Sequence, residues 1–530
     1  MNRVCRLPPP LGAGGPEPVS AVQRPFHNKS PRARVWSSNH PPKILPMAFD
    51  LQNSPLLVSE LYLAGTFRPA TSGKTFPVLN PANGEEVARC ADAGAKEVEK
   101  AVEAARSAFP RWSSLTAGER ADHLKAWHRL ILEHAEDLAR LLTTEQGKPI
   151  REARGEVAYG ASFVDWFAAE ALRNYGDVIS GHAPGKRITV LRQPVGVVAA
   201  ITPWNFPVAM VTRKVAPALA AGCPVILKPA EDTPLCALAL AKLADEAGLP
   251  PGVFQVLPTS DPASVGDPLL ASSVVRKLSF TGSTAVGKKL MAAAAPTLKK
   301  LSLELGGNAP FIVFPDADLD AAVQGAIASK FRNAGQTCVC ANRFYVHEDV
   351  YDQFVWEFAN AANRLYTGFG DDEDVDVGPL INKAAQDKVT ALVDDAVAKG
   401  ARTECGGYPD DDDLFYFPTV LSNVSTDMRV AHEEIFGPVA PVFKFSTEEE
   451  VITQANATPA GLAAYFYGRD QARCWRVAEA LEYGMVGINT GMISTAVAPF
   501  GGVKESGFGR EGSKYGLEEY TVLKYLCWSE

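Results

Sequence analysis

The stretch VGVVAAITPWNFPVAMVTRKVAPALAAGCPVILKPA, residues 195–230, decides the fold. Residues 195–202 are an apolar run without polar alternation, the mark of a strand covered on both faces. The Pro-bracketed TPWNFP, residues 202–207, ends it in a turn. Residues 208–221 follow with apolar side chains at helical spacing, and residues 225–228 form a second buried strand that runs into KPAE. Strand, helix and strand in so short a span is the repeating unit of a parallel sheet with crossover helices.

The same rhythm extends outward. Residues 235–247 read as helix, 253–256 and 277–280 as strands, and 285–294 as helix. A second run covers 311–314, 319–331, 343–347 and 350–365 and continues to 484–489. Upstream, the spacing predicts amphipathic helices over 97–109, 117–144 and 155–175. The fold class is therefore α/β, with two doubly wound domains, one Rossmann-like for a cofactor and one catalytic, and an active site in the cleft between them. The expected boundaries are a leader over 1–46, a cofactor domain over 47–305 with a hairpin at about 176–193, a catalytic domain over 306–500 and a C-terminal return over 501–530.

Composition narrows the function. With 530 residues, 46% of them hydrophobic, the chain can bury a large core, which excludes disorder as a global state. The net charge is −9, yet residues 1–49 hold seven basic residues against Glu17, a local +6 that leaves −15 on the rest. An acidic body is a poor partner for nucleic acid. The best membrane candidate, residues 215–227, is too short and holds Pro and Gly, so no membrane span is expected. Nine cysteines at irregular spacing argue for a reducing compartment. Residues 1–46, with ten of the 39 prolines, five arginines and several serines, read as an organellar transit peptide, mitochondrial first and plastid second. The alternative is a disordered tail with Met47 as a second start, leaving a cytoplasmic protein. Acidic clusters at 371–376 and 410–413 read as solvated loops, and no metal site is expected.

Cys338 sits in GQTCVC, residues 335–340, where polar neighbours Asn333, Gln336 and Thr337 and a nearby glycine favour an exposed thiol. An isolated Cys is ordinarily a small buried hydrophobe, so a nucleophile needs partners from elsewhere. Glu304, between two leucines in LELGGN, is a carboxylate whose burial would raise its pKa toward that of a base working near neutrality. Asn205, held between prolines and aromatics, is a candidate oxyanion donor, although a lone Asn in a Pro turn is usually a turn former. No GxGxxG follows a strand. Instead FTGST, residues 280–284, runs from strand to helix with Gly287 in its first turns, and Lys228 with Glu231 stands at a strand end where a ribose could be gripped. A carboxylate there accepts from ribose hydroxyls and repels a 2′-phosphate, so NAD is expected over NADP.

Taken together, residues 202–207, 228–231, 280–284, 304–307, 335–338, 433–438 and 499–502 resemble, in order and spacing, the aldehyde dehydrogenase superfamily, over about residues 55–530. Within it KFRNAGQTCVCANR, residues 330–343, and GREGSKYG, residues 509–516, resemble the succinate-semialdehyde dehydrogenases. The resemblance implies Cys338 as nucleophile, Glu304 as base and Asn205 as oxyanion donor. It implies Thr202, Pro203, Trp204, Lys228, Glu231, Gly282, Ser283, Gly287, Leu305, Glu434 and Phe436 around NAD, and Arg213, Arg332 and Ser494 on a substrate carboxylate. Two guanidiniums and a hydroxyl suit an aldehyde with a distal carboxylate.

The implied reaction is oxidation of succinate semialdehyde to succinate through a thiohemiacetal and a thioester on Cys338, a step in 4-aminobutyrate degradation. A base at Glu304 favours hydrolysis of the thioester over its transfer to coenzyme A. Cys340 is implied as a redox partner of Cys338, with a packed thiol as the alternative. Edge strands at 178–180, 188–192 and 520–525 match the family's oligomerisation elements and imply a homodimer or homotetramer. The rivals are another acid semialdehyde such as glutarate semialdehyde, since one methylene changes binding by only ~1–3 kcal/mol, and a non-catalytic binding or structural relative.

Overall fold

A computed structural model of the protein describes Leu51, residues 54–410 and residues 413–529. The leader expected over 1–46 lies outside the described residues, as does part of the 410–413 acidic cluster. Two sheets organise the rest. The first has eight strands, in the order Gly507–Phe508, Lys300–Glu304, Val275–Thr281, Val197–Ile201, Val225–Lys228, Phe254–Val256, Leu61–Leu63 and Thr66–Arg68. Its five inner strands are parallel, and the strands at its two ends pair antiparallel. The second has seven strands, from Arg402–Cys405 through Ala309–Val313 to Met485–Ile488, all parallel except the first.

Helices cover these sheets, the doubly wound α/β arrangement that the apolar strands predict. Every residue of Val197–Ile201 and Val225–Lys228 is buried, and so is every residue of the helix Ala209–Ala221 between them. That helix can sink completely because it is rich in Ala and because Gly160 of Ile150–Ala171 lets it approach. A Cβ at Gly160 would sit 2.9 Å from Val208 Cγ1.

The three helices predicted upstream differ in extent, the first running over Ala95–Ser114. The single helix expected over 117–144 is two, Ala117–Glu133 and Ala135–Gln146, parted at His134 (φ −104°, ψ 22°). Thr116 and Glu119 form a capping box at the start of the first. The helix expected to begin at 155 starts a turn earlier, at Ile150 after Pro149, whose missing N–H suits that boundary. A third sheet joins Thr521–Ser529, Lys186–Pro194 and Asp177–Ile179 antiparallel, bringing the chain's far end to the 176–193 hairpin. Val178, Ile179, Leu191, Val522, Leu523, Tyr525 and Trp528 in it are exposed. Among the described residues no helix is long and apolar enough to cross a membrane, and no group of three or more metal-ligating side chains is gathered.

Candidate active site

The inner strands of the first sheet end at one rim, and their C-terminal turns carry Thr202 to Asn205, Lys228, Glu231, Gly282, Ser283 and Leu305. The turns after Val197–Ile201 and Val225–Lys228 lie side by side, tied by Thr202 N–H donating to the Lys228 carbonyl at 3.2 Å. A cavity of about 330 Å³ opens beside them, lined by Pro203, Trp204, Asn205, Gly282, Ser283, Leu305, Cys338, Glu434 and Phe436 among others. Nine predicted residues from five separate segments thus meet in one place. Trp204 and Phe436 form an edge-to-face pair at 5.5 Å. Thr202, Lys228, Glu231 and Gly287 do not line this cavity. Gly287 packs instead on Leu305, where a Cβ would come within 2.5 Å of Cδ2.

Cys338 is presented by a contorted loop. Asn333, Ala334 and Gly335 are all left-handed, with φ of 53°, 53° and 73°. Only Gly fits the last of them, since a Cβ there would lie 2.2 Å from the Gly437 carbonyl oxygen. Gly307 plays a similar part from the other side, with 2.4 Å left between its would-be Cβ and the Cys338 carbonyl oxygen. The polar neighbours expected to expose the thiol are themselves buried. Asn333 Nδ2 donates to the Asn205 carbonyl at 2.9 Å, and Gln336 Nε2 to the carbonyls of Asn333 (3.1 Å) and Pro379 (3.3 Å). They are staples of the loop, and the thiol is half-buried. Burial pushes that thiol up to about 12, Arg213 and Arg332 pull it down, and Glu434 and Glu304 push with the burial.

Asn205 is buried, with one amide N–H on the Gln336 carbonyl at 3.0 Å and an unpartnered Oδ1. Its carbonyl also accepts from Lys148 Nζ at 2.8 Å, and Lys148 lies 3.9 Å over the Phe206 ring. Glu156 closes this tether, pairing Lys148 and accepting from Val208 N–H at 2.9 Å at the start of Ala209–Ala221. Lys148 and Glu156 carry no sequence signal for this role, because their contact is tertiary.

Glu304 ends its strand buried, with neither carboxylate oxygen hydrogen-bonded. Desolvation raises its pKa well above the carboxylate range, Glu511 adds to the rise, and Arg213 and Lys214 oppose it. Arg213 is buried, with its guanidinium 4.0 Å from the Phe500 ring and in ion contact with Glu511. Arg332 and Ser494 meet at a separate small pocket with Tyr465 and Val339. Cys340 is buried, its Sγ 3.5 Å from the Lys330 carbonyl. Glu511, Lys214 and Lys388, which lines the main cavity, are functional candidates that residue-by-residue reading missed.

The residues present fit a nicotinamide dinucleotide. Ser283 caps the helix Thr284–Ala294, leaving its N-terminal dipole toward the cavity, and Thr281 Oγ1 is buried without a partner. Gly282 keeps the strand end open, since a Cβ there would clash with the Phe280 ring at 2.5 Å. Glu434 Oε1 accepts from Gly307 N–H at 3.1 Å at the opposite wall.

The profile of the aldehyde dehydrogenase family matches residues 67–526. The chain belongs to the aldehyde dehydrogenase family. It is an oxidoreductase of aldehydes by that membership. It is 56% identical to an Escherichia coli protein named succinate-semialdehyde dehydrogenase [NADP(+)], over 90% of this chain and 99% of that one. It is also 56% identical to a Pseudomonas aeruginosa protein named glutarate-semialdehyde dehydrogenase, with the same coverage. A third, named succinate-semialdehyde dehydrogenase, mitochondrial, from Arabidopsis thaliana, is 56% identical over 90% of each chain. The crystal structure of succinate-semialdehyde dehydrogenase from Burkholderia pseudomallei superposes with a TM-score of 0.90 at 56% identity, covering 91% of this chain and 100% of that one.

These findings correct the expectation of NAD over NADP, since the E. coli relative is named for NADP(+). The geometry supplies the physical reason. Glu231 Oε2 lies 3.0 Å from Lys228 Nζ, so the repulsion expected from the acid is offset by a cation three residues earlier. The Lys228 side chain is buried while that of Glu231 is 45% exposed, so the cation is the more deeply seated member of the pair.

Removing the buried tether should disturb the site as well as the fold. In Lys148→Met, Glu156 is left as an uncompensated buried carboxylate and the Asn205 carbonyl loses a donor. The expected loss is about 3–5 kcal/mol of stability, read as a lowered Tm, together with a reduced burst of aldehyde oxidation. An unchanged Tm would remove the tether from the account.

Proposed function

We propose that the protein oxidises succinate semialdehyde to succinate with NADP. The observation that carries this reading is Arg213, a buried guanidinium whose Nη2 has no protein hydrogen-bond partner and whose charge acts on both Cys338 and Glu304. A cation of this kind, next to a nucleophile, suits an aldehyde that ends in a carboxylate. Arg332 and Ser494 supply further donors from the neighbouring pocket. Oxidation of glutarate semialdehyde is the second reading, favoured by the name of the P. aeruginosa relative.

NADP, when bound, supplies the hydride acceptor. Ser283, Gly282, Glu434, Phe436, Trp204, Leu305 and Pro203 would hold it along the cavity, with Gly287 allowing close helix packing and with Thr202, Lys228 and Glu231 as further contacts outside the cavity lining. Cys338 Sγ, as thiolate, bonds to the aldehyde carbon, and the carbonyl oxygen becomes an oxyanion. The second N–H of the Asn205 amide and the Cys338 backbone N–H hold that oxyanion. Loss of hydride leaves a thioester on Cys338. Glu304 then takes a proton from water, whose oxygen bonds to the acyl carbon as the C–S bond breaks, giving succinate and restoring the thiolate. The protonated form of Glu304 is favoured in its dry setting, so base activity is present above its raised pKa and lost as pH falls through it.

Cys340 is read as the resolving thiol of a reversible oxidation at Cys338. The exposed apolar three-stranded sheet is read as the oligomerisation face of a homodimer or homotetramer. The basic, proline-rich residues 1–46 are read as a transit peptide to the mitochondrial matrix, supported by the name of the A. thaliana relative.

A panel of succinate semialdehyde, glutarate semialdehyde and butanal with NADP and NAD tests the substrate reading. Arg213→Ala should lower kcat/KM for all three, because the thiol loses a cation that favours its thiolate, and at least tenfold more for the two acids than for butanal. Equal loss on all three would end the carboxylate assignment. Glu304→Gln should keep the pre-steady-state burst and lose about 10²–10⁴ of steady-state turnover. The acid limb of wild-type kcat should sit well above the pH range of an ordinary carboxylate, and full turnover by the variant would show the base to be elsewhere. Peroxide inactivation should be reversible by dithiothreitol in wild type and irreversible in Cys340→Ala, whereas matching behaviour would leave Cys340 a packed thiol.

A further inference from the structure

The Glu511 carboxylate is shared between two neighbours on one helix, in ion contact with Arg213 Nε through Oε2 and with Lys214 Nζ through Oε1. All three side chains are buried. The backbone of Glu511 exchanges two hydrogen bonds of 2.8 Å with Phe500, the residue whose ring lies 4.0 Å from the Arg213 guanidinium. One strand pairing therefore fixes both the acid at the edge of the guanidinium and the ring beneath its face. Phe163 lies 5.4 Å away and Met210 Sδ 3.8 Å from Nη1. Only Nη2 is buried with no such neighbour. A buried donor without a partner is costly, so an anion arriving there is welcomed.

An arginine reaches its target on a long, flexible stem, and its own backbone does not set where the guanidinium stops. Here the stop is set from outside, by the length of the Glu511 side chain and by the Phe500 ring. We propose that Glu511 is a positioning residue for Arg213, fixing the depth at which Nη2 meets the substrate carboxylate and so the number of methylenes the site accepts between carboxylate and aldehyde. The proposal rests on the reading that Arg213 takes that carboxylate. It gives a physical basis for the chain-length choice between relatives named for four-carbon and five-carbon semialdehydes at equal identity to this chain. A shorter acid at 511 draws the guanidinium back by about one methylene, the step that separates the two substrates.

The test measures kcat and KM of the full chain with NADP for succinate semialdehyde, glutarate semialdehyde and butanal. Glu511→Asp is expected to lower the succinate-to-glutarate ratio of kcat/KM at least fivefold, mainly through KM, with butanal within threefold of wild type. Phe500→Leu, which removes the ring under Arg213, is expected to move the same ratio at least fivefold and serves should the Asp variant fail to fold. If Arg213→Ala keeps the preference for charged over uncharged aldehydes, the underlying carboxylate reading fails. If Arg213→Ala loses that preference while both other variants leave the succinate-to-glutarate ratio within fivefold, or depress all three aldehydes in parallel, the role of Glu511 is overturned.

Discussion

The Asn205 carbonyl is the point on which the site depends. It accepts from Lys148 at 2.8 Å and from Asn333 at 2.9 Å, while the amide of the same residue donates to Gln336 at 3.0 Å. Three segments far apart in sequence are locked by one residue: the turn after Val197–Ile201, the start of the long helix at Ile150 and the loop that carries Cys338. None of these bonds is exposed to water, so each is electrostatically stronger than its surface counterpart, and losing one leaves a buried group unsatisfied. The left-handed run at 333–335 persists because these bonds and the close Gly437 carbonyl leave the loop no other course.

Charge is arranged by the same logic of burial and compensation. Arg213, Lys214, Glu511 and Glu304 are all buried near one another, and isolated charges in such a place would be untenable. Glu511 neutralises part of the cationic pair, which lets Arg213 remain charged against the cost of its own burial. Glu304 is left without hydrogen bonds and beside a second acid, so it holds its proton to higher pH than a surface carboxylate. The Cys338 thiol, the Glu304 carboxyl and the Arg213 guanidinium thus share a field in which each sets the proton affinity of the others.

Much of this was legible in the sequence, and the remainder fails for identifiable reasons. The parallel strands could be read because burial on both faces removes polar alternation, as in VVAAI at 197–201. Cys338, Glu304 and Asn205 could be gathered because their motifs keep order and spacing. The break at His134 could not be read, because the apolar period continues through it and only the backbone turn parts the helices. Gln336 and Asn333 end on buried carbonyls, which polarity alone does not reveal. Glu511 lies in the GREGSKYG motif, yet its role was not legible there because its partner Lys214 lies 297 residues away.

The expected cofactor preference shows how one residue's charge misleads when its neighbour is out of view. Glu231 is expected at the ribose of the cofactor, and an isolated acid there would repel a 2′-phosphate. It is not isolated, since Lys228 on the preceding turn holds it at 3.0 Å. The pair's response to a phosphate depends on which member leaves for solvent. The exposed member is the acid and the buried one the lysine, so a 2′-phosphate that displaces the carboxylate meets an ammonium already in place. A net charge of −9 says little about an anionic substrate, because the cations that matter are buried beside the thiol, where water screens them least.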